Sequence, residues 1–70
     1  MFTNEQIDNI FTYHSPKEGQ PTKYETLREN ARVLAHAINH LCPESREKSL
    51  AITQLQLSVM MANASIAINE

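Results

Sequence analysis

A proline-containing segment near the N-terminus holds two aromatic side chains in what reads as a loop. Over FTYHSP, Phe11 and Tyr13 stand beside His14 and Pro16. Aromatic rings in a loop suit stacking on nucleobases, because every base has a π-face. The structural alternative is that Phe11 belongs to the core and Tyr13 covers its edge. The segment is a candidate base-stacking site.

Cations at helical spacing suggest where an anion would bind. Tyr24 and Arg28 lie one turn apart on a predicted helix, which would pair a stacking ring with a guanidinium. Further on, Ser45, Arg46 and Lys48 open a second long helix, where backbone N–H groups, the helix dipole and a forked guanidinium can hold a phosphate. The alternatives are a core Tyr24 with Arg28 reaching outward, and ordinary capping with surface ion pairs at Arg46 and Lys48.

The sequence lacks the motifs of a catalytic or metal site. It has no Gly-rich phosphate loop, no Gly-x-Ser-x-Gly and no CxxC pair, and its carboxylates are scattered. His36 and His40 share a helix face at i, i+4, and their simplest interpretation is two solvated histidines. We therefore expect a binding protein that is not an enzyme and uses no cofactor or metal.

Prolines and the single glycine divide the chain into three predicted helices. A Thr3–Gln6 capping-box pattern opens a short helix over about 4–12, and a loop follows over 13–20. Pro21 and Pro43 suit the first turns of helices over about 21–41 and 43–67. The short connection between the two long helices predicts an antiparallel hairpin. The fold class is all-α, in a single domain over 1–70.

The last predicted helix has apolar residues on two opposed faces. One stripe consists of Ala51, Ile52, Leu55, Val59, Ala62 and Ile66; the other consists of Leu50, Leu57, Met60, Met61, Ala64, Ala67 and Ile68. A single hairpin partner covers one stripe, and the first helix is too short to cover the whole of the other. The pattern therefore predicts a homo-oligomer, and the alternative is a tolerated exposed stripe.

Bulk properties constrain location and partners. The 70 residues carry a net charge of −2 and one cysteine, Cys42, so no intramolecular disulfide forms and no basic field favours polymeric nucleic acid. No signal-peptide pattern and no apolar run near membrane-spanning length is evident. We expect a cytosolic protein without membrane contact.

The order of these motifs resembles a known family. FTYHSPKEGQPTKYETLRENA, LAHAINHLCPESREKSLAITQL and VMMANASIA together are similar to small phage proteins, the helical-hairpin nucleotide sponges of the anti-CBASS and anti-Thoeris type. The resemblance covers roughly residues 11 to 67. It is carried by the FxYHxP start, Tyr-x-x-Leu-Arg, CPxSREKxxA and Met-x-Ala-Asn-Ala-x-Ile-Ala.

The resemblance implies a function and three site residues. Members sequester cyclic di- or trinucleotides or cyclic ADP-ribose-type immune signals and release them unchanged, as symmetric oligomers, commonly hexamers, in the host bacterial cytoplasm. Tyr13 matches the base-stacking tyrosine, Arg28 the basic residue for a dinucleotide, and Arg46 is a candidate for a trinucleotide site. Relatives often carry Met-Trp-Ala-Asn where this chain has Met61 in place of tryptophan, so its ligand range could differ. The competing hypothesis is a protein-interaction module that binds a host protein through the exposed stripe.

Overall fold

The computed structural model describes all residues from Met1 to Glu70, and they form three helices without strands. Helix α1 spans Asn4–Ile10, α2 spans Gln20–Leu41 and α3 spans Arg46–Asn69. The all-helical fold predicted from the sequence is confirmed. Four of the six helix ends differ by one to three residues from the predicted positions, whereas the start of α1 and the end of α2 coincide with them.

Helix α1 begins at the predicted capping box. The Thr3 hydroxyl accepts from the Gln6 backbone N–H, and Gln6 Oε1 accepts from the Thr3 N–H at 2.8 Å. Two of the N–H groups that every helix start leaves unpaired are thereby satisfied. The helix ends at Ile10 rather than 12, where Phe11 departs from helical dihedral angles.

Helix α2 begins one residue earlier than predicted, at Gln20. Gly19 precedes it with a φ of 86°, in the left-handed region that glycine enters without strain. Pro21 therefore stands at the second helical position instead of the first. Its missing N–H is tolerated there, because the first-turn N–H groups have no intrahelical acceptor.

Helix α3 begins at Arg46, not at the predicted Pro43. The Ser45 hydroxyl accepts from the Lys48 backbone N–H at 3.1 Å and caps the helix. A serine that pairs with an N–H of the first turn is a stronger start signal than a proline two residues upstream. The helix continues two residues beyond the predicted end at 67, to Asn69.

The two long helices pack against each other as a flat hairpin. The molecule measures 45 × 31 × 13 Å, and its smallest dimension is about one helix diameter. No hydrophobic residue is buried; the two buried residues are Gln20 and Lys48. A single chain thus has no enclosed apolar core, and large apolar side chains such as Leu41 and Met61 face water.

The two stripes predicted on α3 differ in burial. The stripe that faces α2 is half-buried throughout, at Ala51, Ile52, Leu55, Val59, Ala62 and Ile66. In the other stripe Leu57, Met60 and Met61 are 47%, 58% and 70% exposed. Helix α1 reaches only the far end of this stripe, where Asn9 Nδ2 donates to the Ile68 carbonyl at 3.4 Å.

Helix α3 is also long and apolar enough to pass as a membrane span by length and composition. It has 24 residues, with an 18-residue window of mean hydropathy 1.3, none of it buried. The sequence has no apolar run near this length, yet the helix reaches the composition of a membrane span, because few charged residues interrupt its apolar residues. Core helices of soluble proteins meet the same criterion.

Candidate functional site

The aromatic side chains of the FTYHSP segment point into solvent. Phe11 is 83% exposed and Tyr13 is 82% exposed, so Phe11 does not contribute to a core. The half-buried His14 ring is held by a 2.7 Å hydrogen bond between its Nε2 and the Asn9 carbonyl at the end of α1. This contact fixes the segment to α1 and leaves the Tyr13 ring free to stack on a ligand.

A cleft between α2 and α3 contains the predicted pair Tyr24 and Arg28. Its volume is about 330 Å³, and α3 contributes Asn63, Ala64 and Ala67 to the opposite wall. The ring and the guanidinium therefore line the same shallow, open cleft. The alanines keep that wall low, which leaves space for a flat group beside Tyr24.

Arg28 is also part of a second cleft on the same side of the hairpin. That cleft has a volume of about 270 Å³ and includes Arg32 and Gln56. The Arg32 guanidinium is held by Glu29 through bonds of 3.0 and 2.6 Å, which raise the pKa of Arg32 and lower the pKa of the Glu29 carboxyl. Arg28 forms no ion pair, so its guanidinium is free to bind an anion.

The two predicted cations at the start of α3 have different surroundings. Lys48 Nζ donates to Glu44 Oε1 at 2.6 Å, and the Lys48 side chain is only 8% exposed. This bond lowers the pKa of the Glu44 carboxyl and keeps the Lys48 ammonium away from a ligand. Arg46 is 81% exposed and lies 3.9 Å from the Glu47 carboxylate, so it is the accessible cation here.

Within one chain the predicted site residues do not form one pocket. Tyr24 and Arg28 line the α2–α3 cleft. The other predicted site residues line neither of its walls; these are Phe11, Tyr13, His14, Pro16, Arg46 and Lys48. Asn63 was not predicted from the sequence, although its position in the Met-x-Ala-Asn motif was a usable signal. No group of three or more His, Cys, Asp and Glu residues is placed to hold a metal ion.

The fold and the two clefts are those of a small binding domain built as a thin helical hairpin. The chain belongs to the family described as Acb2/Tad1, hairpin domain, whose model matches residues 3–67. This is the anti-CBASS and anti-Thoeris sponge family, and the resemblance found in the sequence is confirmed. No curated protein matches the chain, and no solved structure matches it.

Proposed function

We propose that this protein sequesters cyclic di- or trinucleotide immune signals, or signals of the cyclic ADP-ribose type, inside the infected bacterium, without converting them. Family membership is consistent with cyclic-oligonucleotide sequestration in general. Within this chain the proposal is carried by one observation: the unpaired Arg28 guanidinium lines a cleft of about 330 Å³ together with the Tyr24 ring.

The chemistry of the cleft fits a nucleotide with a phosphodiester. A guanidinium donates two parallel N–H bonds to phosphate oxygens, and an aromatic ring stacks on a base. Both groups come from one turn of α2, so a base and its phosphate could bind side by side. The cleft is open on one side, which leaves the rest of a cyclic dinucleotide to be covered by another molecule.

A second copy of the chain would supply that cover. The exposed stripe on α3 and the lack of any buried hydrophobic residue support assembly, because association would remove this apolar surface from water. We propose that in two-fold related copies Tyr13 of one protomer completes the cleft of its partner, which would suit the two bases and two phosphates of a symmetric dinucleotide. We propose a homo-oligomer, with a hexamer as its form.

Sequestration requires tight binding and no turnover. Second messengers at about micromolar concentration call for about nanomolar affinity, or roughly −12 kcal/mol. The family consists of binding proteins and is not known for catalysis. The residues around Arg28 include no nucleophile paired with a base, so the ligand should leave the site unchanged.

The test is titration calorimetry of the purified protein with cyclic di- and trinucleotides and a cyclic ADP-ribose, followed by heat release and chromatography of the ligand. Nanomolar binding with intact ligand would support a sponge, and the stoichiometry would report the symmetry of the site. Failure to bind any of these ligands would contradict the proposal. A changed product would contradict its non-enzymatic part.

The exposed stripe on α3 also supports a second function, docking of a host protein. Met60 and Met61 are adaptable side chains that suit varied partners. A defined complex with one host protein, formed by monomeric chains in the absence of nucleotide, would favour this alternative. A nucleotide-binding homo-oligomer with the stripe buried between its copies would reject it.

A further inference from the structure

Asn63 is the residue of the cleft whose presence the fold does not explain. Its Oδ1 is the only buried side-chain nitrogen or oxygen of the protein that has no hydrogen-bond partner. Lys48 and Asn69 are the side chains of α3 that form hydrogen bonds, and neither bonds to Asn63. The amide is therefore not held in place by any hydrogen bond.

An alanine at this position would suit the fold better. A buried carbonyl without a donor destabilises the folded state, and asparagine is a poorer helix former than alanine. Ala64 and Ala67 line the same cleft, so small residues are accommodated beside this position. A polar group that weakens the hairpin and lies in the wall of a cleft points to a contact made outside the protein.

The other walls of the cleft determine what that contact would be. Tyr24 offers a ring for stacking and Arg28 a cation for phosphate, while Ala64 and Ala67 leave room for a flat group beside the Asn63 amide. Resting on the proposed function, we infer that Asn63 reads the edge of a bound nucleobase and gives the site a preference for adenine.

The amide matches adenine through two hydrogen bonds. Its oxygen accepts from the adenine N6 amino group while its nitrogen donates to N7; guanine presents two acceptors, O6 and N7, on the same edge, so the amide oxygen would face another oxygen. Oδ1 is buried in the free protein, so a two-bond contact requires the Asn63 side chain to change its rotamer and turn its amide toward the cleft. No hydrogen bond opposes that rotation.

The test compares the affinities of the full-length protein for cyclic di-AMP and cyclic di-GMP by titration calorimetry. We expect the wild type to favour cyclic di-AMP. Asn63→Ala should weaken cyclic di-AMP binding by about 5- to 150-fold, the discrimination typical of one bidentate base contact, and leave cyclic di-GMP binding nearly unchanged. Asn63→Asp, which keeps the shape but cannot donate to N7, should also lose affinity for cyclic di-AMP.

Thermal unfolding separates this role from a structural one. Asn63→Ala should raise Tm by about 4–8 °C, because it removes the unpaired carbonyl. Asn39→Ala is the matched control, since Asn39 is exposed on α2 and lines neither cleft. It should leave the ratio of the two affinities unchanged.

Two results would overturn the assignment of Asn63 while leaving the proposed function intact. One is a wild type that binds cyclic dinucleotides without favouring adenine. The other is an Asn63→Ala protein that loses affinity for both ligands equally, together with a lower Tm. A wild type that binds no cyclic oligonucleotide at all would overturn the proposed function and this inference together.

Discussion

The Gln20 amide donates to the Glu70 carboxylate across 3.3 Å and thereby joins the first turn of α2 to the end of α3. Gln20 is 3% exposed, and its Oε1 accepts from the Lys17 backbone N–H at 2.9 Å. Its Nε2 also lies 3.5 Å from the Ile66 carbonyl. One side chain thus connects the loop, α2 and α3 in a molecule without an apolar core.

Replacing Gln20 should therefore destabilise the hairpin. Gln20→Ala removes these bonds and takes away the partner of the Lys17 N–H, which should lower the free energy of unfolding by about 1–3 kcal/mol. Urea denaturation followed by circular dichroism measures the change. Gln54→Ala, at an exposed glutamine of α3, is the control and should change stability by less than about 0.5 kcal/mol. Equal effects in the two variants would contradict this role of Gln20.

The ion pair between Glu70 and Lys23 should make stability depend on pH in the acid range. Hydrogen bonds from Lys23 and Gln20 hold the pKa of the Glu70 carboxyl below its ordinary value of 4.5. A lowered folded-state pKa means that the contribution is fully present above pH 4.5 and is lost as the pH falls through the lowered pKa. The difference in unfolding free energy between wild type and Glu70→Gln should therefore decrease as the pH falls through that range.

Glu29 and Glu44 also have lowered pKa values, so acid weakens the wild type at several sites. The difference between wild type and Glu70→Gln removes these shared contributions. Urea unfolding at a series of pH values from neutral to acid provides the comparison. A difference that stays constant over the whole range would show that ionisation of Glu70 does not stabilise the fold.

Arg28 should dominate the affinity for an anionic ligand. Arg28→Ala removes the unpaired guanidinium of the cleft and should weaken cyclic-dinucleotide binding by about 10- to 150-fold, the loss of one charge-assisted contact of roughly 1.5–3 kcal/mol. Arg32→Ala is the matched control, because its guanidinium is already bonded to Glu29. Calorimetry should give an effect of less than about threefold for Arg32→Ala, within the range of an exposed charge. The reverse order of the two effects would move the phosphate contact to Arg32.

Tyr13 should contribute through its ring and not through its hydroxyl. The side chain is 82% exposed and has room to stack on a base. Tyr13→Ala should cost about 1–3 kcal/mol of binding free energy per stacked base, whereas Tyr13→Phe keeps the ring and should bind nearly as tightly. Both variants need an unchanged oligomer by light scattering. Equal affinity in wild type and Tyr13→Ala would remove Tyr13 from the site.

The exposed stripe of α3 should control assembly. Met61 is 70% exposed, and Met61→Glu would place a charge in the subunit interface that we propose. Size-exclusion chromatography with light scattering should report smaller species for this variant. His36→Glu adds the same charge on an exposed position of α2 and should leave the mass unchanged. An unaltered mass for Met61→Glu would place the interface elsewhere.

Part of the candidate site was predictable because it depends on spacing along a single helix. Tyr24 and Arg28 are four residues apart, and a helix places such residues on one face whatever packs against it. Asn63 could not be paired with them from sequence, because it approaches Arg28 only through the packing of α3 on α2. The sequence also left the partner of Lys48 undetermined, since a lysine near a helix start can bind a ligand or a neighbouring glutamate.

The sequence by itself determined the three helices, the Thr3–Gln6 capping box, the hairpin and the two apolar faces of α3, because these follow from local hydrogen bonding and from the 3.6-residue period. The tertiary structure decided which stripe of α3 faces α2, which cation stays unpaired and which polar atom is buried without a partner. Those outcomes depend on the relative placement of two helices whose contacts lie far apart in the chain. Local preferences do not encode that placement, and the packing of side chains between the helices does.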